Sequence, residues 1–198
     1  MNTTHSTRRR AAIALVAAAA LTLTGCSPGP AENAVPNWPP ASLEHYDLAG
    51  LDAPQIINTL DTMPVADRPN DLIASVQPTE LVLTSGDESL ETIPIPEDQF
   101  YLSVAPYYTS THPCRFHILT TCLGEIANEQ VHVTVTDNAS GDTLIDETRT
   151  TYDNGFLGLW LPRGITATLT IDHDGRTATA PISTGDDDLT CLTTMQLA

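Results

Sequence analysis

Residues 112–125 read His112-Pro113-Cys114-Arg115-Phe116-His117-Ile118-Leu119-Thr120-Thr121-Cys122-Leu123-Gly124-Glu125. Two thiols and two imidazoles fall within eleven positions. A third thiol, Cys191, lies in the C-terminal segment, with Met195 four residues on. Thiolate, imidazole and thioether are soft to borderline donors. They select Cu(I), or Zn(II) where four donors close a tetrahedron. No Cys-x-x-Cys is present, so the spacing is not that of a zinc finger. Cu(I) accepts two or three ligands, so Cys114, Cys122 and Cys191, with His117 nearby, suffice for it.

Cysteine arithmetic sharpens this. The fourth cysteine, Cys26, closes an export segment and is set aside for lipidation. Three thiols remain, and at most one intramolecular disulfide can form among them. An exported protein with purely structural disulfides has an even number. The leftover thiol points to a metal or a redox cycle. Two thiolates supply two electrons, enough to reduce two Cu(II) to Cu(I) while a disulfide forms. A charged His117 nearby, or the metal, lowers a thiol pKa and raises the thiolate fraction.

Blander readings stand beside these. Cys114 and Cys122 could form a structural disulfide across a short loop, and Cys191 could be a buried free thiol. His117 could be a partly exposed loop histidine. Pro113 restricts the backbone of His112 and can aim it elsewhere. Met195 sits in an alternating stretch and reads as core. Asp186-Asp187-Asp188 reads as a solvated turn, or as a short-range funnel for cations beside Cys191. Asn154-Gly155 and Asp174-Gly175 read as turn chemistry. Without metal, the alternatives are a thiol–disulfide redox protein acting on protein substrates, or a disulfide-stabilised structural β-domain. No nucleophile elbow supports a hydrolase.

The elements that must position these residues are mostly strands. Asp52 before Ala53-Pro54 predicts a helix start, with Ile56, Ile57 and Leu60 at helical spacing and Met63-Pro64 ending the run. A second short helix is expected from Asn70-Asp71, carrying Leu72, Ile73 and Val76 and stopped by Pro78. Leu81 to Leu83, Leu90 to Ile95 and Phe100 to Val104 read as strands. From Val131 the alternation is β throughout, with turns at 138–142, 153–155, 162–164 and 174–175, and Leu192 to Leu197 adds a last strand. The expected fold is mainly β, with a small α+β N-terminal module (42–98). A C-terminal antiparallel β-sandwich-like, metal-binding domain (99–198) follows it.

The first segment gives the address. Arg8-Arg9-Arg10 precedes an apolar stretch from Ala11 to Leu23. Thirteen helical residues span roughly 20 Å against about 30 Å of hydrocarbon, too short for a bilayer. Residues 1–25 therefore read as an export signal. Leu23-Thr24-Gly25-Cys26 resembles the bacterial lipobox, which makes Cys26 the lipidated N-terminus of the mature chain. Residues 26–41 hold Pro28, Pro30, Pro36, Pro39 and Pro40 and read as an extended tether. The expected location is the outer face of the cytoplasmic membrane, held by the lipid anchor.

The 198 residues carry a formal charge of −17. Removal of residues 1–25 takes away three arginines and no acid, which deepens it to −20. So acidic a surface repels phosphates and argues against nucleic acid. The chain contains no lysine, which excludes Schiff-base and P-loop chemistry.

Several blocks together resemble the CueP family of extracytoplasmic copper-binding proteins. They are Tyr101 to Tyr107, Thr111-His112, Cys114, Phe116-His117, Thr120-Thr121-Cys122 and Gly124-Glu125. Later blocks are Asp153 to Phe156, Gly158 to Pro162, and Pro181 to Asp188 leading to Thr190-Cys191-Leu192-Thr193-Thr194. The resemblance runs from about Gln99 to Leu197. It implies copper binding through the three thiols, a role in copper tolerance, and delivery to an extracytoplasmic copper-receiving protein. It also implies a two-domain architecture that forms a homodimer, and thiol redox chemistry on cupric ion. The family is mostly periplasmic and soluble, whereas the lipobox here implies a tethered version.

Overall fold

The computed structural model describes residues 42–198. Cys26, the export segment 1–25 and the tether 26–41 lie outside the described residues. No helix among the described residues is long and apolar enough to cross a membrane.

Helix α1 (Ala53–Thr62) begins as its sequence dictates. The Asp52 carboxylate accepts the Gln55 N–H at 2.9 Å, and the Gln55 side chain accepts the Asp52 N–H at 3.0 Å. Pro54 sits in the first turn, where its missing N–H costs nothing. Ala53, Ile56, Ile57 and Leu60 form the buried stripe.

The second helix expected from Asn70 is instead strand β1 (Leu72–Val76). Leu72, Ala74 and Val76 are buried while Ile73 is exposed, a period of two. Five residues fit both periods. The tie is broken by partners: β1 pairs antiparallel with β2 (Glu80–Ser85) on one side and with β5 (His117–Ile118) on the other. With β3 (Glu88–Pro94) they make a first sheet in the order β3-β2-β1-β5.

The later strands follow the predicted alternation. They are β4 (Gln99–Tyr107), β6 (Gln130–Asp137), β7 (Thr143–Thr150), β8 (Leu157–Pro162), β9 (Thr166–His173), β10 (Arg176–Ser183) and β11 (Cys191–Gln196). They form a three-stranded sheet, β11-β4-β8, and a four-stranded sheet, β10-β9-β6-β7. All pairings are antiparallel except β11 with β4, which run parallel with Cys191 opposite Ser103. The fold is mainly β, as the sequence predicts.

The two faces of the three-stranded sheet explain where the site lies. Phe100, Leu102 and Val104 of β4 and Leu157, Leu159 and Leu161 of β8 face one way. They share a core with Val131, Val133, Val135, Leu169 and Ile171 of the four-stranded sheet. Each such buried side chain contributes roughly 1.5–3 kcal/mol. The alternate residues face the other way. Tyr101 and Trp160 pack with α1 and the first sheet, and Ala105, Phe156 and Cys191 cluster with Cys122. Cys191 points to this second face, and a register shift between Leu192 and Met195 turns Met195, four residues on, into the sandwich core instead.

Candidate metal centre

The 108–125 segment is held at both ends and in the middle. Glu125 accepts the N–H groups of Tyr108, Thr109 and Ser110 at 2.7, 2.9 and 3.0 Å and the Thr109 hydroxyl at 2.6 Å. The Thr109 hydroxyl first, then these amides, hold its carboxyl down to about 2. The Arg115 carbonyl accepts the Thr190 and Cys191 N–H groups at 3.0 and 3.2 Å, which brings β11 beside the cysteine segment. The His117 N–H donates to the Thr190 hydroxyl at 3.1 Å, and that hydroxyl donates to the Val76 carbonyl at 2.6 Å. Cys122 closes a turn by donating its N–H to the Ile118 carbonyl at 3.0 Å. Gly124 then donates to the Asn154 carbonyl at 2.6 Å. A Cβ on Gly124 would stand 2.6 Å from the Gly155 carbonyl oxygen, so the two backbones meet only because both residues lack side chains.

These contacts bring the three sulfurs and His117 together. Cys114 and Cys191 are joined by a disulfide, with Cα atoms 5.6 Å apart. The blander reading paired Cys114 with Cys122 across the short loop; the structure pairs Cys114 with Cys191, because the Arg115 carbonyl docks β11 next to it. Cys122 is the free thiol among the described residues, with its sulfur 3.8 Å from Cys114 Sγ. Cys191 Sγ lies 3.8 Å from His117 Nδ1. The ligand atoms of His117, Cys122 and Cys191 all lie within 4.8 Å of one another, and so do those of His112, Cys114 and Cys122.

His117 is not a loop histidine. It is fully buried in β5, with its ring 4.7 Å from the Phe156 ring centroid. Its Nε2 lies 3.0 Å from Asp61 Oδ1. Burial disfavours the imidazolium, but the Asp61 carboxylate outweighs it and raises the pKa from 6.5 to about 9. Burial likewise opposes the Cys122 thiolate, and the hydrogen bond and charge of His117 overcome it, leaving the thiol below its ordinary range. Any metal bound at Nδ1 displaces a proton, while Asp61 retains the other ring nitrogen in place.

Asp61 is the residue that sequence reasoning missed. It accepts from Tyr101 Oη at 2.5 Å and from Asn154 Nδ2 at 3.0 Å, besides facing His117. Arg68 donates to its backbone carbonyl at 3.0 Å and to the Cys122 carbonyl at 3.4 Å. Burial pushes Tyr101 well above its ordinary value, and Asp61 adds to that. The signal was present: position 61 lies four residues after Ile57, on the apolar stripe of α1. Asn154 does more than shape its turn, since its side chain carries this contact.

The remaining candidates separate cleanly. Met195 is buried in the sandwich core, apart from the cluster that holds Cys122 and Cys191. Asp188 accepts the Gly185 N–H at 2.6 Å and Asp186 pairs with Arg163 at 3.1 Å, so this run is a braced turn. Ser103, opposite Cys191 in register, has a buried hydroxyl without a hydrogen-bond partner.

Each group offers one imidazole and two sulfurs, donors of the soft to borderline kind that suit copper. The comparisons with known proteins agree with that chemistry. No curated relative matches the chain. A solved structure described as "Crystal Structure of S.CueP" is 42% identical, with a TM-score of 0.73, over 79% of this chain and 94% of that one. The sequence model of the family described as periplasmic copper-binding protein CueP matches residues 55–196. With three cysteines and a buried histidine converging inside the matched region, the chain belongs to the CueP family of periplasmic copper-binding proteins.

Proposed function

We propose that this chain is a lipid-anchored extracytoplasmic protein that binds Cu(I) through the thiolates of Cys114, Cys122 and Cys191, with His117 as imidazole donor. Its role is copper tolerance, or delivery to an extracytoplasmic copper-receiving protein. One observation carries the reading: the Cys114 and Cys122 sulfurs lie 3.8 Å apart, and Cys191 Sγ lies 3.8 Å from His117 Nδ1. In this reading residues 99–198 bind the metal and residues 42–98 support them, chiefly through Asp61.

The disulfide fits a redox role. Cys114 and Cys191 thiolates each give one electron, two Cu(II) become two Cu(I), and the S–S bond forms. The reduced dithiol is the metal-binding form.

An anaerobic Cu(I) titration of the reduced protein against a competing chelator tests the reading, with each cysteine changed to Ser in turn. Affinity falls with every single change if the three thiols share one site. Affinity equal to that of the triple variant refutes it. A parallel Zn(II) titration is expected to be weaker. For the anchor, Cys26→Ala is expected to move the protein from the membrane fraction to the soluble one.

A second reading, thiol–disulfide exchange with protein substrates, is favoured by the Cys122 sulfur poised 3.8 Å from disulfide-bonded Cys114. It predicts mixed disulfides with a protein dithiol that Cys122→Ser abolishes without copper.

A further inference from the structure

We propose that His112, Cys114 and Cys122 form an outer Cu(I) site that loads and unloads the inner one, with Cys122 as the ligand shared by both. This rests on the Cu(I)–thiolate reading above and divides its donors between two overlapping stations that both hold copper at equilibrium, so that all three thiols contribute to the overall affinity.

Two donor groups are built around the same sulfur. The inner group is His117, Cys122 and Cys191, all buried. The outer group is His112, Cys114 and Cys122, of which His112 and Cys114 are partly exposed. In each, the ligand atoms lie within 4.8 Å of one another. His117 is 0% exposed and Cys191 1%, so an ion cannot reach them directly from water. The outer group lies on the solvent side of that barrier.

Phe156 stands beside both imidazoles. Its buried ring is 6.2 Å from the His112 ring and 4.7 Å from the His117 ring, centroid to centroid. It offers no donor atom between the two imidazoles. The sulfur of Cys122 is the atom common to both sides.

The exchange balances. Each group supplies one imidazole nitrogen and two thiolates. The Cu–S bond to Cys122 persists. Bonds to the His112 nitrogen and Cys114 Sγ break as bonds to His117 Nδ1 and Cys191 Sγ form. Oxidation state, coordination number and ligand charge are the same before and after, and the Cys122 thiolate holds the ion throughout. The protons displaced from His117 Nδ1 and the Cys191 thiol are made up by those that His112 and Cys114 take up as they are released. The Cys114–Cys191 disulfide takes one sulfur from each group, and therefore closes entry and storage together.

The test uses the full reduced chain, loaded anaerobically with one Cu(I), and follows transfer to bathocuproine disulfonate by stopped flow. His112→Ala is expected to slow release and loading by about tenfold or more, while equilibrium affinity moves by less than about threefold. His112→Met, which returns a soft donor, is expected to recover most of the rate. Transfer at the unaltered rate in His112→Ala overturns the proposal. So does a loss of affinity matching the loss of rate, which would make His112 a resident ligand. Failure of His112→Met to recover the rate also overturns it, assigning the effect to loop packing. Cys191→Ser separates the two readings. If it loses affinity and His112→Ala is silent, the inner site stands and the outer one falls; if it binds as tightly as the unaltered chain, both fall.

Discussion

His117 Nε2 lies 3.0 Å from Asp61 Oδ1, and both side chains are closed to solvent. The contact joins α1 to β5 across 56 positions of sequence. It fixes the ring so that Nδ1 faces Cys191 Sγ. A residue outside the cysteine segment thus determines which ring nitrogen is turned toward the sulfurs.

Asp61→Ala leaves His117 and Arg68 buried without their carboxylate. Breaking a buried charge pair from one side costs about 3–5 kcal/mol. Urea unfolding of the disulfide-bonded protein should show that loss. Asp61→Asn keeps the volume and is expected to fold, with Cu(I) affinity reduced about 10–100-fold because the ring is no longer oriented. An Asp61→Asn affinity equal to that of the unaltered chain would show that the metal does not use this imidazole.

Much of this was legible in the sequence, and the exceptions have physical causes. Strands β6 to β10 could be read because alternation and turn residues agree over many positions. Helix α1 could be read from Asp52, Pro54 and its apolar stripe. Strand β1 could not, since Leu72, Ile73 and Val76 fit either period and only the pairing with β2 and β5 decides. The three thiols and His117 stood out by type. The depth of His117 did not, because it depends on Asp61, Thr190 and Val76, all distant in sequence. Three thiols allow three pairings, and the choice of Cys114 with Cys191 depends on where β11 docks.

Glu125 makes the acid range informative. Its carboxyl is held from 4.5 down to about 2 by the Thr109 hydroxyl and the three amides that it receives. A depressed folded pKa contributes stability that is present above the unfolded value and lost as pH falls. The contribution is therefore full above pH 4.5 and disappears on the way down to about 2. Glu125→Gln should be less stable than the unaltered chain at pH 7, and the gap in unfolding midpoint should close by about pH 2. A gap that stays constant with pH would assign the effect to shape alone.

The thiol inventory can be counted directly. Without reductant, alkylation followed by mass mapping should find Cys114 and Cys191 linked and only Cys122 labelled among the three. Labelling of Cys122 should be slow, since it is 8% exposed, and should accelerate on unfolding. After reduction all three should label. A Cys114–Cys122 linkage in the oxidised protein would contradict the docking of β11 on the Arg115 carbonyl.

Gly155→Ala probes the contact that holds Cys122 in place. Gly155 has φ +78°, a region that costs an L residue about 1–2 kcal/mol. Its Cβ would also stand 2.6 Å from the Gly124 carbonyl carbon and oxygen, where backbone rather than a movable side chain must shift. Crowding of that kind costs about 1–3 kcal/mol, so the substitution should lose about 2–5 kcal/mol in urea unfolding. The strain has two ways to relax. Movement of the Asn154-Gly155 turn takes Asn154 Nδ2 off Asp61, and movement of Gly124 takes Cys122 away from Cys114 and His117. Either way Cu(I) affinity of the folded variant should fall, although neither residue carries a donor atom. Gly164→Ala is the control: φ is +76° there, but nothing lies within 4 Å of the added Cβ. It should pay the conformational cost with copper affinity intact, and equal copper loss in both variants would show that the effect is global instability.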